Sequence, residues 1–568
     1  MKRSTKNIIM LTLIIIVFVL IGLTINYSKQ NIKQLNNNSN MPQMNNQPPS
    51  MPEGDDSNQT PPEKPDDDKA NNNSTEEIVK DDMNKTGNSN SSLNVYYILL
   101  SIESLVVSCL ITYLIMSNFN KKNIKETFYN SDKMIIGGLT VAIITILLVF
   151  ITTKLSTNLS SSKEPSFNNN STNINYSSTK ELTDSENILS GTYTSTNKDE
   201  NVISASNVTS TISDVSVIKS GDSKGGDNTS FYGTNSAIIA KDGANLTLKN
   251  INVTTNATGA NGVFCYGGNA TTNNSSNDGT ALTISDSVIN TTKDNSGGIM
   301  TTGGGILNAT NLTISTEGVS SAAIRTDRGG GTVNVNKGTY TTKGKGSPAI
   351  YSTASINVSN AKLVSTASEG IVIEGKNSVT IDNVDLIDTN NKLNGQSTTY
   401  KNIFLYQSMS GDAATGTAKF TSKNSRITTN KGDTFYVTNT NATIELNNNE
   451  IINNDSNGNF LRIQKDSWGN KGSNGGIVNF IMSNQKASGS IVVDSISTLD
   501  LYVKNSSYFE GSINNENTAK SVKLILDNSS SIKLTADSYV TSFENADKTN
   551  NNINFNGYKL YVNGKAIN

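Results

Sequence analysis

The sequence predicts an all-β fold, a parallel β-helix with three short strands in each coil. The first observation is a repeated triplet, in which an apolar residue at position x is followed by apolar residues at x+2 and x+7. The second is the period, because most copies begin 23 to 26 residues after the previous one, with longer steps of 36 and 41, as in solenoid proteins. The third is composition: Thr, Val, Ile and Asn fill short runs bounded by Gly, Asn and Asp, which favours strands and turns.

The triplet predicts two of the three strands. Positions x and x+2 lie on one face of a strand, since side chains alternate with a period of two. The short step from x+2 to x+7 suits a bend into a second strand. A weaker eighth copy is Phe420, Ser422 and Ile427. The seven regular copies are Leu246, Leu248, Val253; Leu282, Ile284, Ile289; Leu307, Ala309, Ile314; Val333, Val335, Tyr340; Ile356, Val358, Leu363; Val379, Ile381, Leu386; and Ile444, Leu446, Ile451.

An apolar anchor near each triplet predicts the third strand. In five coils the anchor follows x+7 by 10 residues. Each coil can bury its apolar side only by stacking on its neighbours, so the coils form a rod. The anchors are Ile238, Val263, Ile299, Ile324, Ile350, Ile371, Phe404, Phe435 and Leu461.

The composition restricts the function. A formal net charge of -2 provides no basic patch, so no nucleic-acid partner is expected. The chain has no histidine, which excludes Ser-His-Asp and Cys-His catalysis and histidine-ligated zinc. A hydrophobic content of 34% suits the thin core of a solenoid. Cys109 and Cys265 lie in different predicted regions, so no disulfide is expected.

Three apolar segments predict transmembrane helices at 8–26, 93–117 and 134–153, because about 20 apolar residues span roughly 30 Å of hydrocarbon. The first segment could be a signal peptide, but no A-x-A-like cleavage site follows it, which favours an uncleaved anchor. Basic residues concentrate in 1–7 and in the loop 118–133. The positive-inside rule therefore places both in the cytoplasm of a bacterium and the C-terminal part outside its plasma membrane.

Two polar segments are predicted as spacers. Residues 27–92 contain seven of the nine prolines among Asn, Ser and acidic clusters, which predicts a disordered extracellular linker. Residues 154–185 are predicted as a second polar tether. The β-helix domain is predicted at 186–568.

Long insertions predict a functional edge on the rod. The usual step from an anchor to the next x is 6 to 9 residues, and it grows to 19 after Val263, 16 after Phe404 and about 17 after Leu461. All three insertions follow the anchor strand, so stacking aligns them along one edge of the rod. In solenoids such insertions often form the binding face.

The same edge collects side chains suited to a glycan, because aromatic rings lie against sugar rings while Arg and Asp bond hydroxyls or carboxylates. Two other interpretations stay open. Residues 325, 327 and 328 could be an ion-pair set that fixes a turn, and the tryptophan could close a loop against the rod. The predicted binding residues are Arg325, Asp327, Arg328, Tyr351, Glu374, Tyr406, Tyr436, Arg462, Asp466 and Trp468.

Strings such as "NSGGIMTTGGG", "SAAIRTDRGGGTVNV" and "SEGIVIEGKNSVTI" resemble the pectin-lyase-like right-handed β-helices of bacterial surface proteins, including adhesins and carbohydrate-binding proteins. The resemblance covers roughly 188–568. It implies right-handed coils at the cell surface that bind polysaccharide or another cell. In the enzymatic branches of this group it also implies polysaccharide lysis.

The preferred hypothesis is a membrane-integral surface protein that binds polysaccharide or a neighbouring cell without catalysis and without a cofactor. A lyase or hydrolase is the first alternative, in which carboxylates would hold calcium and Arg325 or Arg328 would be the base. A passive spacer is the second. Five acidic residues lie just before anchors, but the number of residues between each of them and its anchor differs from coil to coil, so no obvious calcium cluster is predicted. They are Asp294, Glu317, Glu369, Asp433 and Asp455.

Overall fold

The computed structural model describes residues 174–568 apart from 224, 271–276, 396 and 409. The segments predicted as cytoplasmic terminus, membrane helices, linker and basic loop, and the tether as far as 173, lie outside these residues. Within the described part, no helix is long and apolar enough to cross a bilayer. A strand, Ser178–Leu182, lies inside the segment predicted as tether.

The anchor strands form a parallel sheet of 12 strands, here called ladder 1. Each strand pairs with its equivalent in the next coil, so consecutive neighbours are separated in sequence by the other strands of the coil. The strands are Ser178–Leu182, Asn201–Ser206, Ile238–Lys241, Val263–Tyr266, Ile299–Thr302, Ile324–Thr326, Ile350–Ser352, Ile371–Glu374, Lys401–Tyr406, Asp433–Thr438, Leu461–Ile463 and Ile491–Val493.

The strands that carry positions x and x+2 form ladder 2, which is also parallel. Two of its strands are long and continue into the third ladder. The strands are Asn187–Ile188, Thr209–Ser213, Asn245–Lys249, Ala281–Ser285, Ile306–Thr316, Thr332–Thr342, Ser355–Ser359, Ser378–Asp382, Thr417–Lys423, Thr440–Asn447, Gly476–Ser483, Thr498–Lys504, Ser521–Leu526 and Ser542–Asn545.

The strands that carry x+7 form ladder 3, with the second halves of those two long strands. Ladder 3 strands are Gly191–Ser195, Val215–Lys219, Asn252–Thr255, Val288–Thr291, Lys362–Ser365, Asp385–Asp388, Arg426–Thr429 and Glu450–Asn453, followed by a separate parallel sheet of Lys486–Ser488, Tyr508–Gly511, Ser531–Leu534 and Ile553–Asn554.

The C-terminal strands Ser538–Val540, Leu560–Val562 and Lys565–Ala566 form a small sheet, and the last two give the one antiparallel pairing among the described strands. A short helix, Asp227–Tyr232, lies in the insertion before Ile238. Long stacked parallel sheets of this kind are consistent with a parallel β-helix.

The register confirms the triplet pattern. Leu246 pairs with Leu282, which pairs with Leu307, and the same column continues through the weaker copy at Phe420 to Ile444. These x residues are buried, and they belong to one apolar cluster that runs along the stacked coils. Mostly aliphatic side chains, together with aromatic ones such as Tyr340 and Phe420, therefore build the core, each placed by a period of two.

One predicted anchor is wrong by a single residue. Ile403, not Phe404, pairs with the anchors Ile371 and Phe435 and points into the core. Phe404 pairs with Val372 on the outer face of the same strand. Inner and outer residues are both apolar here, because insertions cover the outer face, and the alternation that would reveal the register is lost.

The bend between ladders 2 and 3 is built on one residue with positive φ in each of the eight triplet coils. This residue stands at x+4 and is Asn or Asp in seven of them, the residue types besides glycine that best tolerate the left-handed region. The exception, Lys337, is followed by Gly338, which also has positive φ. The bend residues are Asn250, Asp286, Asn311, Lys337, Asn360, Asn383, Asn424 and Asn448.

Several bend amides bond to the bend of the preceding coil. Asn311 Nδ2 donates to Asp286 Oδ1 at 2.8 Å, and Asn448 Nδ2 donates to Asn424 Oδ1 at 2.9 Å. The short polar step noted in the sequence is therefore a bend that is stabilised between coils.

Candidate functional site

The outer face of ladder 1 carries the predicted edge. On this face, the residue that directly follows each inward-pointing anchor forms a continuous column from coil to coil, because the strands pair in register. Insertions cover much of this column; near its start, Phe231 of the short helix packs with Ile239 and Phe264. The column is Ile239, Phe264, Met300, Arg325, Tyr351, Val372, Phe404, Tyr436, Arg462 and Val492.

Arg325 and Asp327 form a close ion pair within one coil, and the Asp327 carboxylate also accepts a hydrogen bond from the backbone N–H of Arg328 at 2.9 Å. Arg328 reaches to another coil, where its Nη2 lies 2.6 Å from Asp412 Oδ1. The Arg328 guanidinium also lies 3.9 Å from the centre of the Phe231 ring. The three predicted residues thus fix a turn and join it to two insertions.

Glu374 connects this group to the aromatic residues of the edge. It is buried, and its carboxylate accepts hydrogen bonds from the hydroxyls of Tyr351, Tyr406 and Ser408, the second of them at 3.0 Å. Burial raises the pKa of Glu374, while these hydroxyls favour its ionised form and oppose the shift. The Arg325 guanidinium lies 5.6 Å from the centre of the Tyr351 ring.

Four aromatic rings form a cluster next to Glu374. Phe404 stacks on Tyr406 with ring centroids 4.4 Å apart, and Trp468 contacts both rings at 5.3 and 5.2 Å. Tyr436 meets Phe404 edge to face at 5.7 Å. Trp468 therefore covers the edge as a loop closure, which supports the second of the two interpretations left open by the sequence.

A buried lysine lies beneath this cluster. Lys401 Nζ lies 4.3 and 4.7 Å from the ring centres of Phe404 and Tyr436 and 4.0 Å from a carboxylate oxygen of Glu369. It donates a hydrogen bond to the carbonyl oxygen of Thr399 at 2.9 Å. Burial lowers the pKa of Lys401, and the nearby carboxylates, Glu369 foremost, oppose the shift.

A hydrogen-bond chain leads from the aromatic cluster to Arg462. The Tyr436 hydroxyl donates to Asp466 Oδ2 at 2.7 Å and accepts from Gln464 Nε2 at 2.9 Å. Arg462 Nη1 donates to Gln464 Oε1 at 3.4 Å, and Arg462 Nε lies 2.5 Å from Asp433 Oδ2. Asp433 is buried and fixes the guanidinium at the outer surface.

An open hollow of about 530 Å³ lies beside Arg462. Hydroxyl, amide and carboxylate side chains make most of its wall, and Val492 on the outer face contributes apolar surface. The lining residues are Asn457, Asn459, Arg462, Gln464, Ser490, Val492, Val493, Asp494, Ser495, Asn515, Glu516 and Thr518.

All ten predicted site residues belong to one network of contacts. Asp327, Glu374 and Tyr436 are buried inside it, with 3%, 1% and 0% of their surface exposed, so they can position their neighbours but offer little surface to a ligand. Arg462 lines the hollow, and Trp468 is half-buried above the aromatic cluster. Whether the network binds a ligand stays a prediction.

The sequence patterns did not predict the roles of Asp412, Gln464 and Lys401 or the outward direction of Phe404. Asp412 lies 84 residues from its partner Arg328, inside an insertion with no repeat pattern. Gln464 carried a usable signal, because it follows Arg462 at the period-two spacing that places both on the outer face.

Among the described residues, no group of three or more His, Cys, Asp or Glu side chains is arranged to hold a metal ion. Two of the carboxylates considered for calcium have basic partners instead, since Asp433 pairs with Arg462 and Glu369 lies near Lys401.

Comparison with known proteins gives no relative. No family model, no curated protein and no solved structure matches the chain.

Proposed function

We propose that the chain is a bacterial plasma-membrane protein that displays a right-handed, pectin-lyase-like β-helix outside the cell and uses its ladder 1 edge to bind polysaccharide without catalysis. The polysaccharide would be free or carried by another cell. The three apolar segments of the sequence and the basic residues around them support the membrane location.

The observation that carries the binding proposal is the hollow beside Arg462 and its connection to the rest of the edge. Sugar hydroxyls donate and accept hydrogen bonds, and the amides of Asn457, Gln464 and Asn515 in the wall do both. Asp433 fixes the guanidinium of Arg462, so little side-chain freedom remains to be lost when a ligand binds. An open, polar and preorganised surface suits a long hydrophilic polymer.

The direct experiment is an equilibrium binding screen of the full chain against immobilised polysaccharides, with product release followed in the same samples. We expect saturable binding without unsaturated products. The substitution Arg462→Ala should weaken binding about 10- to 100-fold, because a charge-assisted hydrogen bond contributes roughly 1.5–3 kcal/mol.

Arg426→Ala is the matched control, since Arg426 is an exposed arginine of ladder 3 whose Nε lies 3.5 Å from Glu450. It should bind as the unchanged protein does. Release of unsaturated products would instead show that the protein is a polysaccharide lyase. If the two arginine variants bind polysaccharide with equal affinity, Arg462 is not part of the binding site. If the unchanged protein binds no polysaccharide, the passive-spacer hypothesis is favoured.

A further inference from the structure

The charges around the hollow are not those of a site for acidic polymers. Arg462 is its one cationic lining residue, whereas Asp494 and Glu516 are anionic. Arg462 already pairs with Asp433 behind the wall at 2.5 Å. With Asp433 counted, one positive charge therefore stands against three carboxylates.

The other arginines of the edge are also matched by carboxylates. Arg325 pairs with Asp327, and Arg328 pairs with Asp412 and, at 3.5 Å, with Asp227. A polymer carboxylate that approached any of these guanidinium groups would compete with a carboxylate already held at short range. Binding of an acidic sugar would then leave a buried or half-buried carboxylate without its partner, which is costly.

The neutral groups of the hollow are better placed for a ligand. Asn457, Asn515 and Thr518 lie at its rim, and Asn459 is oriented by Asp433, which accepts from its Nδ2 at 2.7 Å. Amides and hydroxyls of this kind match uncharged sugar hydroxyls in both hydrogen-bonding directions. Val492 offers a small apolar floor for the carbon face of a sugar ring.

We infer that the hollow beside Arg462 selects neutral polysaccharides and rejects polyuronates, an inference that rests on the proposed function and specifies its substrate class. Like charges in an open hollow repel at distances within a Debye length, about 8 Å at physiological ionic strength. Discrimination against an acidic polymer should therefore decrease as salt is added, while affinity for a neutral polymer should change little.

The test compares dextran, a soluble neutral β-glucan and polygalacturonate as ligands of the full chain, at low and high salt. We expect at least one neutral polymer to bind at least 10-fold more tightly than polygalacturonate at low salt. The variant Glu516→Lys changes the charge at the exposed rim by two units and should raise polygalacturonate affinity by several-fold. Glu450→Lys makes the same change at an exposed position on ladder 3, outside the hollow, and should not.

The possible results distinguish a failure of selection by charge from a failure of the proposed polysaccharide binding. If polygalacturonate binds as tightly as the neutral polymers, or if Glu516→Lys and Glu450→Lys have the same affinity for it, the hollow does not select by charge, although the protein still binds polysaccharide. If none of the three polymers nor any other polysaccharide of the wider screen binds, the proposed function fails and the inference fails with it.

Discussion

At the scale of single residues, Glu374 shows how the edge is held together. Its carboxylate is buried and accepts hydrogen bonds from three hydroxyls of the edge, including those of Tyr351 and Tyr406. An ionised carboxylate in such a place has lost its water and has no basic partner among these contacts. The proton is therefore bound more tightly in the folded protein than in the unfolded chain.

The pH dependence of stability follows from this shift. The pKa of Glu374 is raised above its ordinary value of 4.5, mainly by burial. Protonated Glu374 contributes its full share of the free energy of unfolding below about pH 4.5, and this share falls as the pH rises through the raised pKa. Gln cannot ionise, so Glu374→Gln has no such pH-dependent loss of stability. The free energy of unfolding of the variant, relative to that of the unchanged protein, should therefore increase with pH above 4.5. Denaturant unfolding at several pH values measures it; a difference that stays constant would contradict the assignment.

At the scale of the strand, we expect neighbouring residues to differ sharply in their contribution to the free energy of unfolding. Ile444 stands at position x and is buried in the core, while Thr443 on the same strand faces outward. Ile444→Ala should lower the free energy of unfolding by about 2–5 kcal/mol. Thr443→Ala should change it by less than about 0.5 kcal/mol. Comparable losses in the two variants would mean that the register of this strand is wrong.

At the scale of the bend, the left-handed backbone of Asn448 can be separated from its amide bond. Its φ is 55°, and its Nδ2 bonds to Asn424 of the preceding coil. Ala and Gly both remove the amide, but only Ala pays the steric cost of positive φ, about 1 kcal/mol. We expect Asn448→Ala to unfold at lower denaturant concentration than Asn448→Gly. The reverse order would show that the backbone here does not require the left-handed region.

At the scale of the whole molecule, repetition decided what the sequence could predict. The triplet placed x, x+2 and x+7 correctly because the coils repeat nearly the same burial, as the pairing of Leu282 with Leu246 and Leu307 shows. The same logic failed at Phe404, where an insertion makes the outer face apolar as well. The contacts of the edge were harder still, since Arg328 and Asp412 meet through an insertion that follows no repeat. The sequence predicted the edge on which these residues lie, but it did not predict which residues contact one another there.

Binding of polysaccharide at the ladder 1 edge can be followed with the fluorescence of Trp468. This residue is the only tryptophan of the chain and contacts Phe404 and Tyr406 within the network that reaches Arg462. Its fluorescence in the full chain therefore reports on this edge alone. We expect a bound neutral polysaccharide to change the emission of Trp468, or its quenching by acrylamide, in a saturable way, and Arg462→Ala to shift the titration to higher concentration. Binding that is measured independently but leaves both emission and quenching of Trp468 unchanged would contradict binding at this edge.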